Sequence, residues 1–116
     1  MPGLEKSLCT LLLEAVLRDS QEVPNNPDLI EDLVENSCEL SLSLLWPSNE
    51  QMRKIILYLG HCEEEDWSLI KRIFLNCPNE LLLIDDVIIR PASREIEIWL
   101  VPDAKERLMQ ANNARP

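Results

Sequence analysis

Glycine is almost missing from this chain, which has only Gly3 and Gly60 among 116 residues. Loops that cradle phosphate need glycine where the backbone approaches the ligand closely, so a nucleotide-loop enzyme is disfavoured. Basic residues are short as well, 11 Lys and Arg against 21 Asp and Glu, for a net charge of −10. Direct nucleic-acid binding needs a basic stripe that displaces counterions from phosphates, and none is expected here. No apolar run reaches the roughly 18 residues needed to cross a bilayer. Leu11, Leu12 and Leu13 are bracketed by Glu5 and Glu14 with no basic flank, so neither a signal peptide nor membrane attachment is expected. The expected compartment is cytoplasmic or nuclear.

Cysteine pairing patterns are missing too. Cys9, Cys38, Cys62 and Cys77 include no C-x-x-C pair, and the chain lacks the loop-rich character of a disulfide scaffold. Cys9 and Cys38 read as buried thiols. His61 and Cys62 are adjacent, but a structural zinc site needs four ligands in compact spacing. No metal and no cofactor is expected.

What is present is the composition of one globular domain: 46% hydrophobic and 28% charged residues rule out disorder. We assign residues 1–110 to a single α+β domain and residues 111–116 to a frayed C-terminal tail. The charge is uneven. Residues 21–50 carry Glu22, Asp28, Glu31, Asp32, Glu35, Glu39 and Glu50 with no Lys or Arg.

Leu4, Leu8, Leu11, Leu12, Ala15 and Val16 recur at helical spacing. Residues 19–26 read as a loop. A second helix follows, with Asn26 as N-cap, Pro27 in first position and Leu29, Ile30, Leu33 and Val34 inward. Residues 38–44 alternate apolar and polar, predicting a half-buried strand with Glu39, Ser41 and Ser43 facing out, although Leu and Glu also suit a helix. Ser48 and Gln51 form a capping box ahead of Met52, Ile55, Ile56 and Leu59, predicting a third helix ended by Gly60. Glu63, Glu64, Glu65 and Asp66 open a fourth, whose stripe is Trp67, Ile70, Ile73 and Phe74. Residues 81–89 and 95–100 predict a hairpin turning at residues 91–93, its first strand central in the sheet, its second nearer an edge, and Asp85-Asp86 at a bulge or kink. Ala104, Leu108 and Met109 suggest a short last helix. The order is ααβααββα: a three-stranded antiparallel sheet packed against four or five helices.

Chemistry is sparse. His61 lies in a connector and reads as exposed, and adjacent residues point apart, so Cys62 would need another base to act as a nucleophile. Asp85, Asp86 and Glu97 are candidate paired carboxylates, yet at most one of the two aspartates shares a face with Glu97. No catalytic residue is assigned. Recognition is better supported. Trp99 shares a strand face with Glu95 and Glu97, where it is either covered by the last helix or an interface anchor. Trp46, beside Pro47, is a second candidate, and Glu31 and Glu35 offer an acidic face to a basic partner.

These features predict a small acidic protein–protein interaction module: an adaptor, an assembly chaperone, or an inhibitor of immunity type. It would bind another protein or form a homodimer through an edge strand. One alternative is an acidic inhibitor occupying the basic nucleic-acid groove of a target protein. Another is a small enzyme using Cys62 or the carboxylates.

Overall fold

The computed structural model describes residues 6–43, 51–76 and 83–113. Among these, four helices and four strands alternate in the order ααββαββα. The α+β class is as expected, with one strand more and one helix fewer than the expected order.

Helix α1 (Leu8–Ser20) starts at Ser7, whose hydroxyl accepts from the Thr10 amide at 3.1 Å. It stops at Gln21, which takes a left-handed conformation with φ 61°. Cys9, Leu13 and Leu17 are buried along with Leu8, Leu11, Leu12, Ala15 and Val16 of the expected stripe, whose Leu4 lies outside the described residues. A helix apolar on nearly every side belongs in the interior, and α1 touches each of the other three helices.

Helix α2 (Leu29–Asn36) begins later than expected. Asn26 does not cap it but closes a local turn, accepting from the Asp28 amide at 3.0 Å. The loop before it is held by Asp66, which is 1% exposed and accepts from the amides of Asn25 at 2.8 Å and Asn26 at 3.1 Å. The acidic start of helix α3 (Glu64–Asn76) therefore fastens a distant loop as well as complementing the helix dipole.

Residues 51–58 overturn the expectation of a helix. They form strand β2 (Gln51–Tyr58), antiparallel to β1 (Cys38–Ser43). Ile55, Leu57 and Leu59 are fully buried at period two. Ile55, Ile56 and Tyr58 prefer a pleated surface, and pairing on both sides of β2 settles the choice. Residues 48–50 of the capping box lie outside the described residues.

Strands β3 (Ile84–Arg90) and β4 (Glu95–Leu100) form the expected hairpin, with a bulge between Ile84 and Asp86. Their places in the sheet are reversed. The strand order is β1-β2-β4-β3, so β4 is interior and β3 lies at an edge. Asp85 and Asp86 are exposed on that edge, where charge discourages pairing with another sheet. Helix α4 (Ala104–Asn113) reaches into the segment read as tail and adds Ala104 and Leu108 to the core.

One face of the sheet is packed. Ile55, Leu57, Ile96, Ile98 and Leu100 are all fully buried in one cluster with the apolar sides of the helices. The other face has no helix on it among the described residues.

Candidate functional site

Register determines what the uncovered face displays, because residues directly opposite in an antiparallel pair point to the same side. One row across the sheet runs Leu40, Lys54, Trp99, Asp86, and the next runs Cys38, Ile56, Glu97, Ile88. Leu42 lies opposite Met52 above them, and Tyr58, Glu95 and Arg90 form the row below.

This corrects the expected orientation of β1. The alternation is real, but Leu40 and Leu42 occupy the uncovered side, and Glu39 and Ser41 share the side of buried Ile55. The reason is electrostatic. Helix α1 has no acidic residue in its first turn, and the Glu39 carboxylate accepts from the Cys9 amide there at 2.6 Å. A negative charge at the positive end of a helix is favourable. Cys38, expected to be buried, is half-exposed beside Ile56.

A polar network sits at the middle of the face. The Trp99 indole donates to Glu97 at 2.5 Å, and Arg90 donates to the other carboxylate oxygen at 3.1 Å. The Lys54 ammonium lies 5.0 Å from the Trp99 ring centroid, within cation–π range. Glu97 is consequently 7% exposed although none of the described helices covers it. The hydrogen bond from Trp99 is the largest influence on its acidity, and with Arg90 and Lys54 it outweighs partial burial, so its pKa falls below the ordinary 4.5. A carboxylate with a depressed pKa stabilises the fold above its unfolded-state value and loses that contribution as pH falls through the folded-state value. Melting temperature should therefore drop on acidification below about pH 4, and Glu97→Gln should show a smaller drop over the same range by circular dichroism.

Comparison with protein families, curated proteins and solved structures finds no match. The geometry of the faces is the ground for any functional reading.

Of the expected partner-binding residues, Trp99, Glu95 and Glu97 come together on the uncovered face. They do so in an interior strand, so pairing by strand addition at β4 is excluded by its two neighbours. Glu31 and Glu35 lie elsewhere, on a groove of about 430 Å³ between α1 and α2 with Glu14 on its rim and Ile30 and Val34 in its lining. Trp46 falls outside the described residues. Leu40, Ile56, Tyr58, Ile88, Lys54 and Arg90 were not foreseen. Reading residues 51–58 as a strand would have exposed them, since Lys54, Ile56 and Tyr58 share one face at period two.

Asp86 and Glu97 do share a face but lie in adjacent rows, and Glu97 is already engaged by Trp99 and Arg90. Among the described residues no group of three or more His, Cys, Asp or Glu is placed to hold a metal ion, and no helix is long and apolar enough to cross a membrane. Cys62 lies 3.8 Å from the His61 ring in a small cavity that also contains Asp32 and Asp66. Burial first, then Asp66 and Asp32, push its pKa upward against Arg94. That favours the thiol over the nucleophilic thiolate. Burial likewise raises Cys9 to about 11. Iodoacetamide at pH 7.5 should label Cys62 more slowly than free cysteine and leave Cys9 unlabelled until denaturant is added, as read by mass spectrometry.

Proposed function

We propose that this chain is a protein–protein interaction module whose docking surface is the uncovered face of the sheet. The observation that carries the reading is where its apolar residues lie. Leu40, Tyr58 and Ile88 are three of the six large hydrophobics exposed among the described residues, and all three stand on this face. An antiparallel sheet with one solvated face ordinarily presents polar residues there. Exposed apolar residues gathered on one face suit an interaction site, and Trp99, in an interior strand between them, is of the residue type most enriched among interface hot spots. Adaptor, assembly chaperone and inhibitor all use such a surface.

The groove between α1 and α2 supports a second reading. Its acidic rim, Glu14, Glu31 and Glu35, suits a basic partner such as a nucleic-acid-binding protein whose groove it would occupy. The two surfaces belong to opposite sides of the sheet and are separable by mutation.

The test is retention of a bound protein by the immobilised chain, at about 50 mM and 500 mM salt, for wild type, Ile88→Lys and the double variant Glu31→Lys/Glu35→Lys. Loss with Ile88→Lys alone, at both salt concentrations, supports the sheet face. Loss with the double variant alone, together with release of wild-type complexes by salt, transfers the function to the acidic groove.

A further inference from the structure

The partner's chemistry can be narrowed by comparing charge on the two sides of the molecule. Among the described residues the uncovered face has two cations, Lys54 and Arg90, and three carboxylates, Asp86, Glu95 and Glu97, a net of −1, where the whole chain carries −10. Its charges are interleaved with apolar residues, and Glu97 is already neutralised by Arg90. The opposite side is strongly acidic: Glu31, Glu35, Glu63, Glu64 and Glu65 are all exposed on or beside α2 and α3. A basic protein would be drawn to the helical side, and an anionic membrane or nucleic acid would be repelled by the whole. A partner suited to the sheet face must itself present a nearly neutral, apolar surface of mixed charge.

We infer that this partner is a second copy of the chain, stacked sheet against sheet. The inference rests on the reading of the face as a docking surface. Stacking two copies this way makes a four-layer sandwich, helices outermost, with the acidic helical layers turned away from each other. A symmetric pairing through the helical sides would instead bring the exposed Glu residues of α2 and α3 together. An isologous contact also requires a patch that complements itself, and a face on which both signs are interleaved with apolar residues does so.

Area is consistent with a reversible dimer. Four strands at about 4.8 Å spacing and six to eight residues at about 3.3 Å each give a footprint of roughly 400–500 Å². Two such faces remove on the order of 1,000 Å² from water, the lower limit for a specific interface, so dissociation in the micromolar range is expected. Packed sheets separate by about 10 Å, which leaves Lys54 and Arg90 able to reach carboxylates across the interface.

Sedimentation equilibrium of the full chain between about 5 and 500 μM tests this. Wild type should pass from monomer to dimer across that range. Leu40→Lys and Ile88→Lys should each raise the dissociation constant at least tenfold, with circular dichroism unchanged. Val23→Lys removes a more exposed apolar side chain, 87% exposed but in the loop after α1, and should leave association unchanged. Wild type that stays monomeric throughout overturns the self-association, as does a dimer that persists in both lysine variants. Failure of the docking surface itself is read separately: if another protein is bound and Ile88→Lys releases it while wild type stays monomeric, the face stands as a docking surface and only its occupant changes.

Discussion

Ile98→Ala should destabilise the fold by about 2–5 kcal/mol. Ile98 is fully buried in interior strand β4, directly opposite Ile55 of β2 and Val87 of β3. Truncation removes most of its apolar contact and leaves a cavity at the centre of the sheet's packed face. The surrounding strands are held by ladder hydrogen bonds and cannot collapse into the gap, so the cost belongs in the upper part of that interval. Domains of this size are stable by only about 5–15 kcal/mol, so a large share of the total would be lost. Chemical denaturation should show a lower midpoint with an unchanged slope. An effect below about 1 kcal/mol would mean that residue 98 is not at the core, and would reverse the facing of β4 on which the uncovered surface depends.

The facing of β4 was legible in the sequence because its alternation is unbroken. Ile96, Ile98 and Leu100 are inward, and Glu95, Glu97 and Trp99 are outward. Helix α3 was legible for a similar reason: its stripe of Trp67, Ile70, Ile73 and Phe74 fits period 3.6 alone, and all four are buried. Residues 52–59 were not, because the run Ile55-Ile56-Leu57-Tyr58-Leu59 satisfies two periods at once. Met52, Ile55, Ile56 and Leu59 fit a helix, while Ile55, Leu57 and Leu59 fit a strand. Nothing local separates them, and the capping box weighed on the wrong side. Pairing to β1 and β4 decided it, and that is information from distant parts of the chain.

The direction of β1 was illegible for a different physical reason. Alternation shows that a strand has two unlike faces, but only its surroundings determine which one is packed. The usual assumption that the apolar side goes in fails at Leu40 because the amide of Cys9, at the start of α1, donates to the carboxylate of Glu39 on the same strand. The exception is informative: natural sequences break such rules where function or a compensating contact requires it. Here the compensating contact is the Glu39 carboxylate at the start of α1, and Leu40 is left on the uncovered face.

Trp99→Ala is the companion experiment one residue along the same strand, and its outcome should be the opposite of that at Ile98. Trp99 is half-buried on the uncovered face, where the described structure gives it Lys54 and Glu97 as neighbours and no helix above it. Its removal opens no core cavity. It takes one hydrogen bond from Glu97, but Arg90 still holds the other carboxylate oxygen, so the cost to the fold should stay near 1 kcal/mol. Binding should respond far more. A central tryptophan at an interface contributes about 2 kcal/mol or more on truncation, equivalent to roughly a thirtyfold weaker complex. Titration calorimetry for a bound protein, or sedimentation for the dimer, measures the loss, while thermal melting measures the fold. Association unchanged within about threefold would remove the uncovered face as the binding surface. Unfolding of the variant would instead show that the indole ring carries the sheet. Ile98 and Trp99 thus separate the two faces of a single strand, one holding the fold and the other available to a partner.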